Sequence, residues 1–241
     1  MLTSVTSVTS VTSVTSPSVT SVSSVTSVTF VTFVTSPMNH TKAVRHLKKA
    51  DPTMARLIER VGPCRFEAVS DGTHFHHIAR AIVFQQLSTG AARTIHGRFV
   101  DLCGGPVVAP KSVLKQTEER LRSAGLSKQK ANYIRDLAAH VEQGTLVLDD
   151  IHEREDHEII EALTKVKGIG PWSAQMFLMF RLGRPDVLPV LDLGIRKGVQ
   201  RAYGLRKLPD EKKLRKIAAP WSPYSTIACW YLWRSLDGPA A

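Results

Sequence analysis

The sequence predicts an all-α fold, on three observations. Apolar residues recur at helical spacing through most of the chain after residue 37, strand signals are few, and one glycine hairpin lies between two helical segments. In order, helices are expected at Val44–Glu59, His76–Leu87, Ala91–Leu102, Lys111–Ala124, Lys128–Gln143 and Glu158–Val166. The pattern continues through Ser173–Gly183, Leu193–Tyr203, Glu211–Ala218 and Ser225–Ser235. Roughly 200 residues of this kind are enough for one compact unit with a sizeable core.

Residues 1–37 have a different composition. Ser, Val and Thr repeat with a period of three, broken by Pro17, Phe30 and Phe33, and no charged residue precedes Lys42. That period fits neither the pleat nor the helix, so no amphipathic face results. The segment lacks the basic start and unbroken apolar run of a signal peptide, and nothing later approaches a membrane span. It is expected to be either a disordered tail with some β-aggregation risk or sequence outside the natural protein, with Met38 the true start; the second is preferred.

The hairpin reads Val166-Lys167-Gly168-Ile169-Gly170-Pro171-Trp172-Ser173-Ala174. Pro171 suits the first turn of a helix, where a missing N–H costs nothing. The first amides of that helix lack intrahelical partners, and its dipole is positive at that end, so the turn suits a phosphate oxygen. Gly168 and Gly170 let the backbone approach a ligand closely. Lys165 and Lys167 add positive charge, which shifts the reading from a plain turn towards a polyanion clamp.

After a proline-containing return, Leu188-Pro189-Val190, comes Asp192, the only acidic residue between Val187 and Tyr203. It stands where it would cap the helix beginning at Leu193, and a cap is all it need be. A carboxylate at a helix N-terminus is favoured in its charged form, which also suits stabilising a cationic transition state.

Charge and cysteine content narrow the class. Lys plus Arg number 32 against 21 Asp plus Glu, a formal net charge of +11, which favours a polyanionic partner with salt-sensitive affinity. Clusters such as Arg206-Lys207, Lys212-Lys213 and Arg215-Lys216 also read as solvated faces. The three cysteines, Cys64, Cys103 and Cys229, cannot supply the four thiolates of an iron–sulfur cluster and form no C-x-x-C site. They fit a reducing compartment, and a cytoplasmic setting, the bacterial cytosol or nucleoid, is expected. His74-Phe75-His76-His77 lacks a fourth ligand at diagnostic spacing, and His152 to His157 does not have the H-E-x-x-H pattern.

Leu163 to Val199 resembles the core motif of the helix-hairpin-helix DNA glycosylases, most closely the DNA-3-methyladenine glycosylase II group. Three further stretches agree: Arg80-Ala81-Ile82-Val83-Phe84-Gln85-Gln86-Leu87-Ser88, Gly125-Leu126-Ser127-Lys128-Gln129-Lys130-Ala131-Asn132-Tyr133-Ile134, and Trp221 to Arg234. The resemblance implies two helical lobes, a terminal one from residues 38–75 and 188–241 and a central one from 76–187 that carries the hairpin, with the active site in the cleft between them. It makes Asp192 the catalytic carboxylate, Trp172 and Trp233 base-pocket aromatics, and the amides around Gly168 and Gly170 the phosphate clamp. It places Gln85, Gln86 and Leu87 in a DNA-contacting loop, where either Gln86 or Leu87 fills the gap left by a flipped nucleotide. It also implies a monovalent cation, Na+ or K+, on the main-chain carbonyls of Thr164, Val166 and Ile169, with no cofactor for catalysis.

The implied activity is hydrolysis of the N-glycosidic bond of alkylated bases flipped from double-stranded DNA, such as 3-methyladenine and 7-methylguanine, by a monomer that leaves an abasic site. Bifunctional relatives place a lysine where this chain has Trp172, so a DNA lyase is the weaker reading. A noncatalytic helix-hairpin-helix DNA-binding module is the other alternative, and it would need no Asp192. Two departures stand out: Lys167 replaces the proline usual before the G-x-G, and Ser225 stands where the group often has arginine.

Overall fold

A computed structural model describes residues 39–237, and every regular element among them is helical. The N-terminal repeat, and the expectation about it, lie outside the described residues. The described residues open with α1 (His40–Ala50) and α2 (Pro52–Val61), not the single helix expected over Val44–Glu59. Asp51 is the reason. Its extended backbone stops α1, its carboxylate accepts from the Thr53 and Met54 amides, and Pro52 starts α2 at the position proline favours.

The central helices are α3 (His74–Phe84), α4 (Thr89–Leu102), α5 (Pro110–Leu114), α6 (Glu118–Ser123) and α7 (Lys128–Glu142). The single helix expected over Lys111–Ala124 is thus also two, divided where Thr117 caps α6 by accepting from the Arg120 amide. α3 ends before the expected Leu87, which leaves Gln85, Gln86 and Leu87 in a short loop closed by Ser88, the cap of α4. Gln86 has φ +56°, the one left-handed non-glycine residue among those described.

α8 (Asp156–Thr164) and α9 (Pro171–Phe180) flank the glycine hairpin, and Pro171 is the first residue of α9 as its chemistry requires. The chain closes with α10 (Leu193–Ala202), α11 (Glu211–Ala218) and α12 (Ser225–Arg234). α1 and α2 pack on α12 and α10, whereas α3 and α7 pack on each other and on α4, α5 and α6; α9 joins α8 and reaches α3. All of these helices belong to one compact unit. Its core includes Leu47, Leu57, Ile82, Phe99, Leu137, Leu163, Leu178 and Tyr231, all essentially inaccessible.

Two polar knots hold distant segments together. Arg181, at the end of α9, donates to the carbonyls of Val69, Asp71 and Gly72 and to Nδ1 of His74, and the Val69 amide meets the Phe180 carbonyl at 2.8 Å. The loop before α3 is thereby fastened to α9. In the second knot, Asp186 accepts from the hydroxyls of Ser222 and Ser225 and from the Ser225 amide, tying the return strand of chain to the start of α12.

Candidate active site

Asp192 caps α10, and three donors converge on its carboxylate. Oδ1 accepts from the Ile195 amide at 2.7 Å and from the Trp233 indole N–H at 2.9 Å, while Oδ2 accepts from the Trp172 indole N–H at 2.8 Å. Capping engages only Oδ1, so it does not by itself exclude a chemical role for this residue. Gly194 makes the arrangement possible. A Cβ there would lie 2.8 Å from Cδ1 of Trp233 and 3.1 Å from Oδ1 of Asp192, so any side chain would push the indole off the carboxylate.

Trp172 and Trp233 reach Asp192 from different sides. Trp172 is 46 % exposed and lines a cavity of about 870 Å³; Trp233 does not line it. The Trp233 ring instead stacks on Phe180, with centroids 5.8 Å apart and planes 30° apart. Of the two aromatics expected at a base pocket, Trp172 lines this cavity, whereas Trp233 lies behind the lining residue Phe180 on which it stacks and reaches Asp192 from there. Met176 and Phe180, at i+4 and i+8 from Trp172 on α9, complete that wall. Sequence reasoning missed both, although their helical spacing from Trp172 was the available signal.

The opposite wall comes from α3, α7 and the loop after α3, including Arg80, Gln85, Gln86, Lys130 and Tyr133. Asp192 itself is not part of the lining and meets the cavity through the Trp172 indole. Apolar exposure is concentrated here. Of the seven exposed large apolar side chains among the described residues, Trp172, Leu191 and Leu193 surround Asp192, Val69 lines the cavity, and Leu87 sits on the adjoining loop. Leu191 is 67 % exposed and Leu193 52 % exposed, on either side of the carboxylate in sequence, a rim suited to a large ligand.

The hairpin packs closely against α7. Gly168 has φ +83°, and a Cβ on it would fall 2.0 Å from the Tyr133 ring, so both its conformation and its contact require glycine. Among the described residues no protein acceptor meets the amides of Gly168 or Gly170. The Gly168 carbonyl accepts from the Gln85 side-chain amide at 3.0 Å. The two hairpin lysines are less free than the sequence implies: Lys165 lies 3.6 Å from Glu161, and Lys167 lies 3.4 Å from Asp136, which also accepts from the Lys167 amide.

Thr164 is the last residue of α8, Val166 and Ile169 lie in the hairpin that follows, and the Val166 carbonyl accepts from the Ile169 amide at 3.2 Å. Cys64, Cys103 and Cys229 are separate free thiols, and the described residues contain no cluster of three or more His, Cys, Asp or Glu arranged to hold a metal. No described helix is long and apolar enough to cross a membrane.

Residues 79–223 match the family model of the HhH-GPD superfamily base excision DNA repair protein. The chain belongs to that superfamily. Within it, the chain falls in the 3-methyladenine DNA glycosylase group. A Schizosaccharomyces pombe protein named Alkylbase DNA glycosidase-like protein mag2 is 31 % identical over 199 residues, covering 81 % of this chain and 93 % of its own. The protein named DNA-3-methyladenine glycosylase 1 from the same yeast is 33 % identical over 198 residues, covering 81 % of this chain and 87 % of its own. A crystal structure of a DNA-3-methyladenine glycosidase from Bacillus halodurans superposes with a TM-score of 0.73 at 40 % identity, covering 80 % of this chain and 88 % of that one. The S. pombe 3-methyladenine DNA glycosylase in complex with abasic DNA gives a TM-score of 0.71 at 31 % identity, covering 80 % of this chain and 96 % of that one. This HhH-GPD chain is thus a base excision DNA glycosylase, and every regular element among its described residues is helical as the sequence predicts.

Proposed function

We propose that Asp192 is the carboxylate with which this glycosylase removes alkylated bases from double-stranded DNA, acting as a monomer and leaving an abasic site. The observation that carries this is the convergence of two indole N–H groups and one helix amide on a carboxylate beside an exposed aromatic wall. Alkylation at a ring nitrogen makes the base cationic and weakens its bond to deoxyribose, so departure needs no strong general acid. As the C1′–N bond breaks, positive charge grows on the sugar. A nearby carboxylate stabilises that charge and orients the attacking water, whose oxygen forms the new bond to C1′ and whose proton passes to the carboxylate. The exposed face of Trp172 attracts a cationic base, worth about 0.5 to 2 kcal/mol depending on how much water is excluded.

Hydrolysis alone is favoured over a lyase. The residue on α9 facing Asp192 is an indole whose N–H is committed to the carboxylate, and the hairpin lysines pair with Glu161 and Asp136. The amides of Gly168 and Gly170, at the start of α9, would receive a phosphate oxygen, and Gln86 or Leu87 would enter the gap left by the flipped nucleotide. The carbonyls of Thr164 and Val166, at the negative end of α8, and of Ile169, across the hairpin, are neutral oxygen donors of the kind that suits Na+ or K+, whose charge would reinforce the hold on the neighbouring phosphate. The setting would be the cytosol or nucleoid.

The test is chromatography of free bases released from methylated duplex DNA, with the strands run on a denaturing gel. Free alkylated bases with strands that break only after alkali support the reading. Breaks without alkali would establish a lyase, and no free base would leave only the DNA-binding module.

A further inference from the structure

The stretch Gly125 to Ile134 leads into α7 and forms its first turns, and that helix touches both the loop after α3 and the hairpin. Lys130 Nζ donates to the carbonyls of Val83, at 2.8 Å, and Gln85, at 2.6 Å. These are carbonyls left without partners where α3 ends, and an ammonium there also meets the negative end of the helix dipole. Three residues on, the Tyr133 ring occupies the space that a Gly168 side chain would need. After three more, Asp136 accepts from the Lys167 amide at 2.9 Å. Six residues of helix, about 9 Å, thus join the end of α3 to the hairpin. Gln85 closes the circuit: its carbonyl is held by Lys130 and its side-chain amide donates to the Gly168 carbonyl.

We propose that α7 is a splint that fixes the loop after α3 relative to the hairpin, with Lys130 the positioning residue that aims Gln86 and Leu87. This rests on the reading of that loop as the group that fills the flipped-out gap. The need for a splint is local. Gln86 holds a left-handed backbone that a non-glycine residue adopts at a cost of about 1 kcal/mol, so the loop relaxes unless something over-determines it. The bonds within the turn are long: the Gln85 amide to the Ile82 carbonyl and the Leu87 amide to the Phe84 carbonyl are both 3.4 Å. The contacts from Lys130 are the short ones. Burial lowers the Lys130 pKa, the cost of seating an ammonium among main-chain oxygens.

The proposal separates base flipping from base chemistry. A lesion opposite a complementary base needs the gap-filling loop, whereas a lesion in a single-nucleotide bulge has no partner strand to hold apart. Single-turnover base release would be measured on both substrates for wild type, Lys130→Met, Lys130→Arg and the double variant Gln86→Ala/Leu87→Ala, with melting curves for each. The splint predicts that Lys130→Met slows release from the paired lesion by 10- to 100-fold and from the bulged lesion by less than 3-fold. Lys130→Arg should restore most of the paired rate, and the double variant should show the same selective loss. Equal slowing of both substrates by Lys130→Met, or none, would overturn the splint while a selective loss in the double variant upheld the loop. No selective loss in the double variant would overturn the loop reading and the splint with it.

Discussion

Two aspartates in this chain share a design and differ in what surrounds it. Asp51 caps α2 and Asp192 caps α10, and each also accepts from an indole N–H brought from far along the chain, Trp221 for Asp51 and Trp172 and Trp233 for Asp192. At Asp51 the shell is closed. The carboxylate is 6 % exposed and accepts from the Thr53 and Met54 amides, the Trp221 indole and the Tyr203 hydroxyl. At Asp192 one helix amide and two indoles serve the two oxygens, and the rim is Trp172, Leu191 and Leu193, all exposed. The difference teaches that the cap does not make the site. The carboxylate proposed for chemistry has an exposed aromatic beside a cavity as its outer donor, whereas a phenol and a buried indole seal the structural one.

The residue two places after each aspartate shows how the sequence encodes the contrast. After Asp51 it is Thr53, whose amide adds a second cap bond; after Asp192 it is Gly194, whose missing side chain admits the edge of Trp233. Burial works against the charge on Asp51, but hydrogen bonds from Tyr203, Trp221, Met54 and Thr53 outweigh it and hold the carboxyl below the usual range. A depressed carboxyl pKa gives stability that is present above the unfolded value, about 3.9, and is lost as pH falls through the lower folded value.

The largest expected effect on the closed side is from Asp51→Asn. The amide keeps the cap but turns an NH2 towards the Tyr203 hydroxyl or the Trp221 indole, at a cost of about 3 kcal/mol measured by denaturant unfolding. Base release per folded molecule should stay near wild type. On the open side, Gly194→Ala should leave melting within a few degrees yet slow base release by about 10- to 50-fold, a loss of about 1.4 to 2.3 kcal/mol. A normal rate in Gly194→Ala would show that the approach of Trp233 to the carboxylate is unimportant. Trp172→Phe keeps an aromatic face but removes the donor to Oδ2, and about a 10-fold fall in kcat with a smaller change in KM is expected.

The smallest expected effect at neutral pH comes from a group outside both aspartates, and it grows only in acid. Burial lowers the pKa of His96 to about 4, with repulsion from His76, Arg80 and His77 adding to it. The unfolded ring takes up its proton near 6.5, so stability should decline as pH falls from about 6.5 towards about 4 and level off below. His96→Phe should flatten that slope, by up to about 3 kcal/mol over the whole window. An unchanged slope would show that this ring is not responsible.

Much of the site was legible because its parts are local. The hairpin announces itself through Gly168, Gly170 and Pro171, and Asp192 through its place before a helical run. The Asp51-Pro52 break was legible too, yet apolar periodicity runs straight across it, since α1 and α2 bury their faces against the same neighbours. What the sequence hid are contacts made by the tertiary fold. Trp172 and Trp233 lie 20 and 41 residues from the carboxylate they both contact, and Asp136 lies 31 residues from the Lys167 amide it caps. No pattern within one helix carries such pairings. Likewise, the stacking of Trp233 on Phe180 depends on how α12 meets α9.

The most direct measurement of the contrast is single-turnover base release from methylated duplex DNA by wild type, Asp51→Asn and Asp192→Asn, each corrected for folded fraction. The account predicts that Asp51→Asn melts well below wild type but releases base at a similar rate. It predicts that Asp192→Asn folds and binds DNA normally while base release falls by about 1,000-fold or more. An Asp192→Asn protein that releases alkylated base at the wild-type rate would contradict it.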